Sequence, residues 1–173
     1  KIASKGWPEL FADPQAGIRA FEGTGFRPAP YAANGTGFAS TGIPVTLSNT
    51  EAKQPNRMTF SAAGTQDTLD SVTVALDLTD APNATVAKDR FVKTMGEVLG
   101  KIGVPGAAEL KQPVLDEKPA AGSVDGADYA VAIAPMTDAG ADARRITVTF
   151  RRPGAPKTDD QASNQATIQP RNG

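Results

Sequence analysis

The side chains that could do chemistry in this chain are carboxylates, arginines, lysines, hydroxyls and one tryptophan, because its 173 residues include no histidine and no cysteine. Histidine supplies the usual base near neutral pH and the commonest metal ligand, and cysteine supplies thiolates and disulfides. Histidine triads, zinc sites built on these ligands, redox thiol pairs and disulfide frameworks are therefore excluded within this chain. Catalysis by other side chains and binding of hard cations by oxygen ligands remain open.

The acidic residues form three groupings that could hold a cation or act as acid and base. Asp138 and Asp142 fall in one predicted turn, but this turn lacks the dense Asp/Asn alternation and the distal glutamate of a calcium loop. We interpret it as a solvated turn, with Ca²⁺ binding as the alternative. The pairs at 116–117 and 159–160 are adjacent in sequence, whereas a glycosidase needs two carboxylates about 5 to 10 Å apart across a cleft. The sequence therefore predicts no catalytic residue, no cofactor and no metal site.

Arginine pairs bracket the last predicted strand, and they could bind an anion or an acidic partner through bidentate contacts. Charged residues at strand ends also keep an exposed edge soluble, which is the alternative explanation. The single tryptophan near the amino end could be a platform for a ligand, although an anchor for the terminus is more typical of a buried aromatic residue. The candidate partner-binding residues are Arg144, Arg145, Arg151, Arg152 and Trp7.

Two segments are predicted to be helical. The first starts at Asp13-Pro14, because aspartate caps free amides and proline suits the first helical position, and it ends at Gly23 or Gly25. The second runs from Ala84 to Gly103, with apolar residues at three- and four-residue intervals. Glycines at 96 and 100 weaken this helix by about 1 kcal/mol each. We interpret them as a close approach to the sheet, with a dimer seam as the alternative.

Five segments alternate between apolar and polar residues and are predicted to be strands. Residues 27–44, with three prolines, are predicted to be a loop or an irregular edge strand. Residues 107–111 are expected to add a short helical turn before a connection that reaches residue 126. The five strands are centred on Val45 and Leu47, on Met58 to Ala62, on Val72 to Leu78, on Tyr129 to Ile133 and on Ile146 to Phe150.

This order predicts an α+β fold: an antiparallel sheet of about five strands with helices on one face, in the order α-β-β-β-α-β-β. The second and third strands, and likewise the last two, are expected to pair as hairpins. Residues 1–154 would form a single α+β domain. Residues 155–173 are polar and almost free of large apolar groups, and they are predicted to be a disordered tail.

Charge and composition bear on partners and location. The formal net charge of −1 gives no electrostatic reason to expect nucleic acid or an anionic membrane surface. No stretch reaches the roughly 20 apolar residues that a membrane span requires. The chain starts at Lys1, which we interpret as a processed product, a trimmed chain or a fragment. Its richness in Ala, Gly, Thr, Pro and Asn predicts a periplasmic or secreted bacterial protein, with a cytoplasmic location as the alternative.

Two resemblances add to these predictions. The segments at 21–26, 37–42 and 99–103 are similar to small exported bacterial proteins of uncharacterised function. The element order resembles the dimeric chaperones of type III secretion, although those chaperones commonly have a third helix and an acidic charge. The resulting hypothesis is a non-enzymatic exported binding domain with a protein partner and a possible homodimer. The alternatives are a cytoplasmic dimeric secretion-type chaperone and a carboxylate-dependent glycan hydrolase.

Overall fold

One antiparallel sheet organises the chain, which is seen in a computed structural model that describes residues 6–155. Within this part the sheet has eight strands in the order β1-β2-β4-β5-β8-β7-β6, and β3 also pairs with β4. The strands are β1 (Ala32–Asn34), β2 (Gly37–Thr41), β3 (Val45–Thr46), β4 (Arg57–Gly64), β5 (Leu69–Leu78), β6 (Ala120–Val124), β7 (Ala127–Pro135) and β8 (Arg144–Arg151). The helices are α1 (Trp7–Ala12), α2 (Pro14–Phe21), α3 (Ala84–Ile102) and α4 (Ala107–Asp116).

The sheet consists of two meanders that meet at its centre. Strands β1 to β5 form the first meander and β6 to β8 form the second, with α3 and α4 between them in the sequence. The two meanders are joined by antiparallel pairing of β5 with β8, in which Val74 lies opposite Val148. The α+β class, the antiparallel sheet and the two predicted hairpins, β4–β5 and β7–β8, are confirmed.

The core lies on one face of this sheet, because alternate side chains along each strand point to the same side. Val72, Val74, Leu76 and Leu78 of β5 are all buried there, together with the inward residues of β8. The apolar stripe of α3, which includes Phe91 and the residues one turn before and after it, belongs to the same core. Burial of this stripe compensates for the two glycines in the helix.

The prediction of about five strands in the order α-β-β-β-α-β-β was wrong. Strands β1 and β2 form a regular hairpin within residues 27–44, and β6 lies in the segment interpreted as a connection. These strands are rich in Ala, Gly and Ser, so they carry no alternation of large apolar and polar residues. They are held by backbone pairing to neighbouring strands, which a pattern of side chains does not reveal.

The helices also differ from the prediction. Asp13 caps α2 as expected, since its carboxylate accepts a hydrogen bond from the amide of Ala16 at 3.2 Å. Helix α1 precedes this cap and was not predicted, and α4 continues for ten residues through Pro113 instead of one turn. Gly96 and Gly100 do not approach the sheet: a Cβ on Gly96 would lie 4.0 Å from that of Ala107 in α4.

The single domain at residues 1–154 stays a prediction. The predicted tail at 155–173 lies outside the described residues from residue 156 onward.

Candidate functional site

The face of the sheet opposite the core, which we call the open face, carries short side chains in its middle. The strand register brings these side chains together across the sheet: Thr73 of β5 lies beside Ser61 of β4 and Thr149 of β8. The hydroxyls of Thr73 and Thr149 are 3.4 Å apart. The centre of the open face is therefore flat, uncharged and rich in hydroxyls; it comprises Thr59, Ser61, Ala63, Ser71, Thr73, Ala75, Ala130, Ala132, Thr147 and Thr149.

One end of the open face carries two arginines on either side of an aspartate. Asp77 of β5 lies opposite Arg57 of β4 on one side and Arg145 of β8 on the other. Arg145 donates to both carboxylate oxygens of Asp77, with Nε to Oδ1 at 2.6 Å and Nη2 to Oδ2 at 3.1 Å. The hydrogen-bonded Asp77 carboxylate raises the pKa of Arg145. Asp138 adds a second negative charge near Arg145.

The second arginine pair lies at the other end of β8, where Arg151 continues the open face and Arg152, just after the strand, lines a pocket with Pro8 and Phe11 of α1. Arg152 donates from Nη2 and Nε to Oδ1 of Asp70, at 2.7 and 3.2 Å. Arg151 lies beside Ser71 in the register and also has a contact within the chain. Asp70 is the extra residue of a β-bulge, since Ala63 pairs with Ser71 whereas the next residue, Gly64, pairs with Leu69.

A small cavity of about 210 Å³ lies at this second end, and we call it the hairpin cavity. The turn between β1 and β2 forms one wall, and β4, the bulge and Arg151 form the rest. Tyr31 supports that wall, because its hydroxyl donates to the carbonyl of Thr65 at 2.6 Å and its ring lies 5.6 Å from that of Phe38. The lining residues are Asn34, Thr36, Gly37, Phe38, Ala39, Ala63, Gly64, Asp70, Ser71 and Arg151.

Arg144 does not lie with Arg57, Arg145 and Arg151 on the open face. Its Nε and Nη2 donate to the two carboxylate oxygens of Glu117, at 2.6 and 2.7 Å. Lys88 of α3 donates to Oε2 of the same carboxylate at 2.8 Å. The hydrogen bond from Arg144 lowers the pKa of Glu117 to about 2; burial opposes this effect, and Lys88 adds to it. Glu117, at the end of α4, therefore joins this helix to α3 through Lys88 and to β8 through Arg144.

Trp7 lies in the core and is fully buried. Its ring stacks on Phe150, with centroids 4.5 Å apart, and on Phe11 at 5.4 Å. Its indole Nε1 donates to the carbonyl of Pro105 at 2.8 Å. These contacts are those of an anchor, so we do not include Trp7 in the open face.

The acidic groupings are dispersed. Asp138 and Asp142 lie between β7 and β8, near Arg145 and Arg144 respectively, and their charges help to raise the pKa values of these arginines. Asp116 is exposed and accepts a hydrogen bond from Gln112. The pair at 159–160 lies outside the described residues. Among residues 6–155, no three acidic side chains lie close enough to hold a metal ion together.

A shallow groove of about 560 Å³ lies between α3 and α4, on the side of the helices away from the sheet. Gly96 and Ala107 lie close together in it, and Val92 and Leu115 supply apolar surface. Its charged residues, Asp89, Lys93, Glu97 and Lys111, are of mixed sign and exposed.

No family model, curated protein or solved structure matches this chain. The two resemblances noted in the sequence therefore stay predictions. No helix within residues 6–155 combines the length and the apolar character that crossing a bilayer demands.

The sequence pointed to the arginines and missed the residues that complete their surroundings. Asp70, Ser71 and Asp77 are not singled out by any motif, and Glu117 was considered only as a member of the acidic pair at 116–117. The sequence did contain one signal for the residues on β5. Ser71, Thr73 and Asp77 alternate along this strand with the buried valines and leucines, so they lie on its polar side.

Proposed function

We propose that this chain is a non-enzymatic binding domain, exported to the periplasm or secreted, that binds an acidic protein partner on the open face. The observation that carries this proposal is the distribution of charge on that face. Arg57 and Arg145 lie at one end with Asp77 between them, Arg151 lies at the other end, and the surface between the two ends is flat and uncharged.

The flat centre suits a protein partner because no side chain projects far enough to prevent close contact. It lacks the large aromatic anchors that dominate many interfaces. Affinity must then come from the arginines and from larger side chains of the partner that rest on the threonine and alanine surface. Complementary charge also accelerates association and excludes basic competitors.

Two matched substitutions at the centre of the open face test this proposal. Thr149→Glu and Thr149→Lys add side chains of similar length and opposite charge, and both point away from the core. We expect the wild-type chain, used as bait in an extract of the native cell, to capture a specific protein. The Glu variant should lose this protein and the Lys variant should keep it.

Thr85→Glu provides the control, since it adds the same charge at an exposed position of α3, which packs on the core face of the sheet. The proposal fails if the captured protein is lost equally with Thr85→Glu, or if Thr149→Lys loses it as fully as Thr149→Glu. Light scattering on the wild-type chain separates this proposal from the chaperone alternative, because a stable monomer excludes the dimeric chaperone.

A further inference from the structure

Asn34 and Gly35 form an Asn-Gly pair at the turn between β1 and β2. Asn34 pairs with Gly37 across this hairpin, so Gly35 and Thr36 are the two central residues of the turn. Gly35 has a φ of +67°, and a Cβ built on it would have no other atom within 4 Å. Asn34, Gly35 and Thr36 are all exposed. Within the described part of the chain, this pair is therefore open to water.

An exposed Asn-Gly pair is a place where a protein can modify itself. The backbone nitrogen of the second residue attacks the side-chain carbonyl carbon of the asparagine, and glycine hinders this approach least because it has no Cβ. The attacking amide gives up its proton to a base in the solvent, and the new N–C bond closes an imide ring. The bond from Cγ to Nδ2 breaks, and the nitrogen takes up a proton and leaves as ammonia. Water then opens the ring at either carbonyl, which produces an aspartate or an isoaspartate.

Both reacting groups are without hydrogen bonds to residues 6–155. This holds for the side-chain amide of Asn34 and for the N–H of Gly35. Ring closure also requires rotation of the Asn34 backbone, and β1 offers little resistance because it has only three residues and lies at the edge of the sheet. Such edge segments open locally at a small free energy. The ring can therefore close while the core stays folded.

The other three asparagines among residues 6–155 differ from Asn34 in two respects. Each is followed by a residue that has a Cβ, which hinders the attack. Each also has a side chain that is engaged in a hydrogen bond, which restricts its rotation. These bonds join Asn49 to the amide of Glu51, buried Asn56 to the hydroxyl of Ser48, and Asn83 to the carboxylate of Asp80.

We propose that Asn34 is a site of spontaneous deamidation, at which the chain converts its own amide into a carboxylate without an enzyme or a cofactor. The register places the new charge on the open face, because Gly37, opposite Asn34, is followed two residues later by Ala39, which lies beside Ala63. An isoaspartate also lengthens the backbone by one carbon at the last pair of β1 with β2. The site itself is independent of the proposed function, and only its consequence for an acidic partner rests on it.

Incubation of the folded chain in mildly alkaline and mildly acidic buffers, followed by peptide mapping with mass spectrometry, tests the site. The peptide that contains Asn34 should lose ammonia and become a substrate for an isoaspartyl methyltransferase, while the peptide that contains Asn49 stays unchanged. Conversion should be faster in the alkaline buffer, because base removes the proton of the attacking amide. A second Asn-Gly pair, at 172–173, lies outside the described residues and falls in a separate peptide.

Two variants separate ring closure from ordinary hydrolysis. Gly35→Ala adds a Cβ beside the attacking nitrogen and should slow the loss of ammonia from Asn34. Asn34→Gln keeps an amide at this position but would have to close a larger ring, so its peptide should keep its mass over the period in which wild type is converted. Asn34→Gln leaves the turn backbone as it is, and it therefore decides the question even where alanine at a φ of +67° opens the turn.

The inference is overturned if the wild-type peptide keeps the Asn34 amide as long as the Asn49 peptide keeps its own, or if Asn34→Gln forms acid as fast as wild type. Asn34→Asp reproduces the new charge in fresh protein, and it should reduce capture of an acidic partner from the extract. Deamidation of Asn34 together with unchanged capture by Asn34→Asp would count against the proposed partner surface and would leave the modification site standing.

Discussion

At the scale of single residues, Glu117 is the group whose ionisation should control acid stability. Its pKa is lowered from 4.5 to about 2, chiefly by the hydrogen bond from Arg144. A lowered pKa in the folded state stabilises the protein above the pKa of the unfolded state and loses this contribution as pH falls toward the folded value. We therefore expect the free energy of unfolding to fall by on the order of 3 kcal/mol from this group between about pH 5 and pH 2.

Urea unfolding followed by circular dichroism at several pH values checks this prediction with Glu117→Gln. The variant should be less stable at pH 7 because Lys88 and Arg144, with side chains 14% and 25% exposed, lose their shared anion. The difference from wild type should shrink toward zero near pH 2. Asp116→Asn, next to it and exposed, should have little effect at any pH. A deficit that is the same at pH 7 and pH 2 would show that the charge of Glu117 is not responsible.

The residues of the candidate site show how far sequence reasoning reaches at this scale. Arg145 and Arg152 could be singled out, because paired arginines at the ends of a strand are visible in the sequence. Their partners, Asp77 and Asp70, could not, since both lie on β5 and come close only through its pairing with β8. Ser71 could be placed on the polar side of β5, but its position beside Arg151 depends on the same pairing.

At the scale of elements, the junction between α3 and α4 depends on a glycine. Gly106 has a φ of +129°, and a Cβ built on it would lie 2.7 Å from Cε1 of the buried Phe150 ring. Gly140 has nearly the same φ, +130°, but a Cβ built on it would have no other atom within 4 Å. Backbone strain costs about 1 to 3 kcal/mol at either position. Gly106→Ala should cost about 1 to 3 kcal/mol more than Gly140→Ala, because it also overpacks the core.

Thermal and urea unfolding of the two alanine variants measure this difference. Equal losses of stability in both would mean that the Phe150 ring moves aside at no cost, and that backbone conformation alone requires glycine at the junction.

Elements whose large apolar residues are regularly spaced could be predicted from the sequence, and elements without such spacing could not. Strand β5 presents four large apolar residues at period two, and α3 presents a long apolar stripe, so both were found close to their observed positions. Strands β2 and β6 consist mainly of small residues and owe their conformation to β4 and β7, on which they pair. Helix α4 tolerates Pro113 because its apolar residues Leu110 and Val114 are buried in the core.

At the scale of the whole molecule, Trp7 connects regions that are distant in the sequence. Its ring touches Phe150 of β8, and its indole N–H reaches Pro105 between α3 and α4. We expect Trp7→Ala to lower the free energy of unfolding by about 3 to 5 kcal/mol. Trp7→Phe keeps an aromatic ring but leaves the Pro105 carbonyl without its donor, so it should cost less, about 1 to 2 kcal/mol.

Circular dichroism in urea provides the measurement, and Val86→Ala, at a position 43% exposed, is the control with an expected change within about 0.5 kcal/mol. A Trp7→Ala variant as stable as the Val86→Ala variant would contradict the anchoring role.

The position of Trp7 also determines what the intrinsic fluorescence of this protein can detect. It is the sole tryptophan, and it is enclosed between Phe11 and Phe150 on the face of the sheet opposite the open face. Its emission therefore follows the exposure of the core to water and is insensitive to a ligand that settles on the arginine-bearing side. A partner could saturate that side while the intrinsic fluorescence stays constant, so a spectroscopic signal for binding has to be introduced by a label on the strands themselves.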